Sequence, residues 1–169
     1  MATGILLSEE DYLHTSYEPD CEFEDGVLIE RNGGTIQHGK LQAALTAYFF
    51  RRRKSWNLFV VTEVRTRART RKYMIPDLCL VQGPEPTGRV LQSPPLLWIE
   101  ILSPEDRPLR VNRKVQAVLE SGVPYVWVID PETLESDLYT AGKHTPLEDG
   151  GLRIPGTPIE VPLHGIFED

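Results

Sequence analysis

The chain has 169 residues, 40% of them hydrophobic and 25% charged, with a net charge of −7. That composition excludes a disordered chain, the length suits one domain with a real core, and no apolar run nears the ~20 residues of a membrane span. Cys21 and Cys79 stand without a second cysteine or a histidine at metal spacing. This excludes a disulfide scaffold or zinc finger and, with the acidic start "MATGILLSEED", leads to the expectation of buried thiols in a cytoplasmic protein with no membrane partner.

In chain order, "LLSEEDYLHT" sets Ser8 three residues ahead of Asp11, a capping-box-like start that predicts a short helix. "CEFEDGVLIER" predicts a hairpin, with Asp25-Gly26 supplying the left-handed turn. After the loop "RNGG", Ile36, Leu41, Ala44, Leu45, Tyr48 and Phe49 recur at helical spacing, so Thr35 to about Lys54 is expected to be an amphipathic helix. "NLFVVTEVRTRART" reads as one strand, on which Arg65, Arg67, Arg69 and Arg71 alternate and would share a face. "YMIPDLCLV", "PPLLWIEIL" and "VPYVWVID" read as buried strands of a central sheet. Between the last two, Val111, Val115, Val118 and Leu119 mark a helix ending at Gly122, and strand, helix, strand implies parallel neighbours. "DPETLESDLYTAG" and the Pro/Gly-punctuated tail suggest short strands at the sheet margin. The expected whole is one α/β domain over residues 1–169, a central mixed β-sheet flanked by helices.

The charge is segregated. Between Arg51 and Lys72 nine basic residues face one acid, Glu63, a local balance of +8 that leaves −15 on the rest of the chain. A basic face on an acidic protein is what a phosphate-binding surface needs, because short-range contacts outlive screening beyond ~10 Å. It also describes a solvated helix end followed by a charge-guarded edge strand.

Two carboxylates break the apolar pattern. In "PPLLWIEIL", Glu100 shares a strand face with Leu96, Trp98 and Leu102. An ionised carboxylate there costs several kcal/mol unless it is paired, protonated or bound to a cation. Asp77, just after Pro76, poses the same problem in a second core strand. Two such violations point to a shared hard-oxygen site suited to Mg²⁺ or Mn²⁺. Lys114, between Val111 and Val118 at the border of its helix's apolar stripe, can reach toward the sheet. Beside a carboxylate pair it can orient a water or stabilise charge on phosphorus; alone it is as readily a lysine whose stem snorkels along the core edge.

The segments "CEFEDGVLIE", "HGKLQAAL", "IPDLCLV", "PPLLWIEILSPEDR" and "NRKVQAVLESGVPYVWVIDP", in that order, resemble the Uma-type restriction-endonuclease family within the PD-(D/E)XK nuclease superfamily. The resemblance runs over about residues 5 to 140 and, more loosely, the tail "GIFED". It implies a restriction-endonuclease-like core and an endonuclease acting on DNA with Mg²⁺ or Mn²⁺. Asp77 and Glu100 would bind the metal, Lys114 would position or activate the attacking water, and Glu22 and His38 would be accessory groups. A symmetric homodimer would suit the cutting of two antiparallel strands.

Three positions depart from the pattern. Leu102 stands where the superfamily's lysine usually sits, with Lys114 matching the alternative location on the following helix; Arg110 replaces an aspartate and Val118 a tyrosine. Arg110 either removes an acid that holds the lysine or, with Arg65, Arg67, Arg69 and Arg71, strengthens phosphate binding. A nuclease-fold protein that binds nucleic acid or another partner without cleaving is therefore the rival reading. A metal-free hydrolase using Glu100 as general acid is a third. Ser103 is expected to cap the turn into the helix and Asp130 to form a strand-end turn, while His14, His144 and His164 have no metal spacing.

Overall fold

The structure, a computed structural model, describes residues 6–168; the first five residues and the last one of the expected domain lie outside the described residues. In chain order the elements are α1 (Glu9–His14), β1 (Cys21–Glu24), β2 (Val27–Glu30), α2 (Ile36–Arg52), β3 (Leu58–Thr62), β4 (Thr66–Arg69), β5 (Lys72–Met74), β6 (Leu78–Gln82), β7 (Leu97–Ile101), α3 (Pro108–Glu120), β8 (Tyr125–Ile129), β9 (Ser136–Thr140), β10 (Lys143–Leu147), β11 (Leu152–Arg153) and β12 (Glu160–Val161). A 3₁₀ turn, Leu163–Gly165, follows.

Six strands form the main sheet in the order β10-β9-β8-β7-β6-β3. Only β7 and β8 are parallel within it, joined through α3 as the strand-helix-strand pattern predicts. The sheet is thus mixed, and its two faces are covered by different helices. Leu97, Ile99 and Ile101 of β7 point to one side, where Leu41, Leu45 and Phe49 of α2 complete the larger apolar cluster. Trp98 points to the other, where it packs with Val115 and Val118 of α3. Val118, fully buried there, is a core residue.

A second sheet, β2-β1-β5-β4, lies beside α3. Asp25 (φ 49°) and Gly26 (φ 97°) make the predicted β1–β2 turn. A Cβ on Gly26 would approach the Leu6 Cβ to 2.8 Å, so glycine is required by space as well as by φ. Gly122, at φ 100°, ends α3 as expected.

The basic segment departs from expectation. In place of one strand there are two in different sheets, because Glu63 adopts φ 52° and the chain turns out of the main sheet after β3. Register then shifts between Arg67 and Arg69, and Arg71 sits in a turn at φ 60°, so the four arginines do not share one face. The tail also splits: β9 and β10 extend the main sheet, whereas β11 and β12 pair with each other. Ser103 does not cap α3; Arg107 occupies that position without a side-chain bond, and the Ser103 N–H donates to Asp106 Oδ2 at 2.8 Å. Asp130 forms the expected turn, its Oδ1 accepting the Glu132 N–H at 2.8 Å.

No helix among the described residues is long and apolar enough to cross a membrane. Both cysteines are free and buried. Burial alone pushes the Cys79 thiol up to about 12, well above the ~8.5 of a free cysteine. Native protein at pH 8 is therefore expected to leave Cys79 unreactive toward a disulfide reagent and to expose it only on denaturation. The raised folded value also means that Cys79 stabilises fully below about pH 8.5. That contribution is lost as pH rises toward about 12, which urea melts at increasing pH would register.

Candidate active site

Main-chain hydrogen bonding explains why "MIPD" runs between the sheets as it does. Pro76 has no N–H, so Ile75 and Asp77 must anchor the link. The Ile75 N–H donates to Glu22 Oε1 on β1 (3.0 Å), and Lys114 Nζ donates to the Ile75 carbonyl (3.2 Å). Asp77 follows at the entrance to β6. One step beyond the antiparallel Leu78–Ile99 pair, this register brings it level with Glu100 on β7.

Asp77 is 4% exposed and fully engaged. Its Oδ2 accepts the Ile101 N–H at 2.7 Å and faces His38 Nε2 at 3.3 Å, while Oδ1 accepts from Arg31 Nη2 at 2.9 Å. Burial opposes its charge, but the His38 and Ile101 contacts outweigh it and hold the carboxyl below the usual carboxylate range. His38 is raised in turn, chiefly by its bond to Asp77. It is placed in the first turn of α2, whose N-cap Thr35 accepts the His38 N–H.

Glu100 and Glu22 share Lys114, whose Nζ lies 2.8 Å from an oxygen of each. With the Ile75 carbonyl these are three acceptors for the three protons of the ammonium, which fixes its direction. Burial works against the lysine's charge, but Glu100 and Glu22 prevail and raise its pKa. Glu100 also accepts from Trp98 Nε1 at 2.5 Å. Burial, with Asp77 and Glu22 nearby, pushes it up to about 7 against the pull of Lys114. Glu22 of β1, Asp77 just ahead of β6, Glu100 of β7 and Lys114 of α3 thus gather in a cavity of 210 Å³ that Arg31 and His38 also line. Leu102, at the superfamily's lysine position, packs beside the α3 cluster, and Lys114 reaches Glu100 from the helix.

The donor set is chemically suited to a hard divalent cation. Mg²⁺ takes one or two carboxylates and keeps several waters, which two acids at one cleft supply. Among the described residues no three His, Cys, Asp or Glu side chains form a ready cage, and Glu100 Oε2 has no hydrogen bond. Asp77 and Glu100 would hold the ion, and it would offset the burial and the Asp77 and Glu22 charges that together raise Glu100.

The predicted basic residues are placed differently. Arg65 is tied inward, to Asp20 (2.5 and 3.1 Å) and to the Tyr12 and Thr15 carbonyls, with its guanidinium 4.2 Å over the Tyr12 ring. Arg69 pairs with Glu24 and Asp25, and Arg71 lies 3.7 Å from Asp25. The charges of Arg65, Arg69 and Arg71 are thus compensated by this chain's own acids. Arg67 is exposed and forms no ion pair among the described residues. Arg110 lines the cleft and donates to the Glu30 carbonyl at 2.7 Å, tying α3 to β2.

Three site residues escaped the sequence reading. Arg31 bridges Asp77 and Glu63, and Gln42 Nε2 donates both to Glu63 Oε1 (2.7 Å) and to the Asp77 carbonyl (2.8 Å). Arg31 carried no signal, since an arginine in a loop violates no pattern. Gln42 lies four residues after His38 on one helix face, and Glu63 is the lone acid of the basic run; both were visible clues.

A family model described as "Putative restriction endonuclease" (Uma2) matches residues 9–160. The chain belongs to the Uma2 family. Its fold is that of a nuclease-like solved structure, described as a "putative nuclease belonging to DUF820" from Anabaena variabilis ATCC 29413, with a TM-score of 0.80. The two share 18% identity over 94% of this chain and 96% of the other. No curated protein matches the chain. Of the candidate residues, Asp77, Glu100, Lys114, Glu22 and His38 lie together in the cleft, whereas the arginines of the basic segment lie outside its lining.

Proposed function

We propose that this Uma2 protein is a metal-dependent endonuclease that hydrolyses phosphodiester bonds of DNA. The observation that carries the reading is the meeting of Asp77, Glu100, Glu22 and Lys114 from four separate elements in one cleft. Bound Mg²⁺ or Mn²⁺ supplies a water of lowered pKa and a counter-charge for the phosphoryl oxygens. Asp77 and Glu100 hold that ion. Lys114, aimed by its carbonyl and carboxylate partners, orients the attacking water or meets charge developing on phosphorus. His38 and the Ile101 N–H keep Asp77 ionised and in place, and Glu22 holds Lys114. Arg110 and Arg113 at the cleft rim, with exposed Arg67, are the cations offered to the DNA backbone. Arg65, spent on Asp20 and two carbonyls, is not among them. A homodimer in the cytoplasm would present two such sites to the two strands of a duplex.

Purified protein should nick supercoiled DNA with Mg²⁺ or Mn²⁺ and stop on chelation. Nicking that persists undiminished in chelator would sink the metal-dependent reading. One observation favours the rival, a binder that does not cleave: both acids and the lysine are already paired within the protein. DNA retardation without cleavage, at any divalent metal concentration, is what that rival requires.

A further inference from the structure

We propose that Arg31 is an internal counter-cation that competes with the divalent ion for Asp77, so that metal loading requires its displacement. The inference rests on Asp77 and Glu100 being the metal-binding acids. Its basis is the division of labour between the two Asp77 oxygens. Oδ2 is taken by the Ile101 N–H at 2.7 Å and by His38 at 3.3 Å, both held by secondary structure, so an incoming cation finds only Oδ1. Arg31 Nη2 stands on Oδ1 at 2.9 Å. A divalent ion there either replaces the guanidinium or sits beside a like charge, and both weaken its binding.

The rest of Arg31's surroundings suits a residue that lets go without leaving. Its other nitrogen, Nη1, is paired with Glu63, a residue held at φ 52° where the chain leaves the main sheet. Gln42 fixes Glu63 from α2 and grips the Asp77 carbonyl with the same amide nitrogen. Arg31 therefore has one anchor on the site and one outside it. Released from Asp77, it stays at the cleft edge on Glu63, one side chain away from wherever a phosphate would lie. In the metal-free protein it helps keep a buried carboxylate compensated, a task it shares with His38 and the nearby Lys114. Arg31 is on this view a positioning residue.

Calorimetry with Mn²⁺ on the full chain tests this, comparing wild type, R31Q, R31K and D77N, with circular dichroism to check each fold. R31Q, which keeps a hydrogen-bond donor but no charge, is expected to bind Mn²⁺ at least about tenfold more tightly than wild type. R31K, which keeps the charge, should remain within about threefold of wild type. In wild type labelled for NMR, Mg²⁺ should move the Arg31 guanidinium signals together with the Asp77 carboxyl carbon, a readout that decides even if R31Q does not fold.

Equal or weaker binding by R31Q, with binding lost in D77N, overturns the competition and leaves the metal site standing. So does an Asp77 carbon that responds to Mg²⁺ while Arg31 does not. If wild type binds no Mn²⁺, or D77N binds as wild type does, the metal-site reading itself falls and this inference with it.

Discussion

Asp77→Asn is expected to lower metal-dependent DNA cleavage by at least about 10³-fold while leaving the protein folded. Asparagine has nearly the same shape, and its amide oxygen can still accept the Ile101 N–H that now reaches Oδ2 at 2.7 Å. It cannot supply the charge that a divalent ion needs. The change also leaves Arg31 and His38 without the anion between them. A stability loss of roughly 1.5–3 kcal/mol follows, the usual range for a hydrogen bond to a charged group. Cleavage and stability should be measured on the same preparation, because a folded variant without activity isolates the chemical role. Cleavage within about tenfold of wild type would remove Asp77 from the proposed site.

Lys114→Met is expected to cost about 3–5 kcal/mol of folding stability as well as the activity. Methionine fills the space of the stem, so the loss reports charge and not volume. Without the ammonium, Glu22 and Glu100 face each other and Asp77 in a cleft where Lys114 is the cation touching both glutamates. The same argument predicts its own rescue. Adding Glu22→Gln and Glu100→Gln should return most of the lost stability and none of the activity, because the unpaired charges go while Lys114 stays absent and the proposed metal ligand Glu100 is lost as well. Urea denaturation of the single and triple variants checks this. A Lys114→Met protein as stable as wild type would mean the ammonium merely lies along the core edge, the snorkelling alternative that the sequence left open.

Much of this architecture was legible in residue patterns. Helical spacing marked α2 and α3, Asp25-Gly26 marked the first hairpin, and the order of "LLWIEIL", α3 and "YVWVI" implied the parallel pair β7–β8. The acids were legible because they broke a pattern: Glu100 among Leu, Trp and Ile, and Asp77 before "LCLV", each needing a compensating partner. Lys114 was legible for the related reason that it sits on the margin of an apolar stripe. In each case the local cost of a polar group in an apolar run carried the information.

The basic segment shows where such reasoning ends. Alternation along "VRTRART" suggested a cationic face, and the suggestion failed at two backbone features, the left-handed Glu63 and the register shift after Arg67. Neither violates any pattern of residue types. The neutralising anions, Asp20, Glu24 and Asp25, come from about 45 residues earlier in the chain. Arg31 was hidden for the same reason, since its partner Asp77 is 46 residues away and an arginine in a loop is ordinary.

The sequence by itself determined where most helices and strands lie and which acids need a partner, because both follow from short-range periodicity and the cost of burying charge, but not that the basic segment and "YMIPDLCLV" each divide between two sheets. Only the tertiary structure decided which cations those partners are, since ion pairing depends on distances of a few ångströms between segments that chain order keeps far apart. It placed Lys114 on Glu22 and Glu100, Arg31 on Asp77, and Arg65 on Asp20.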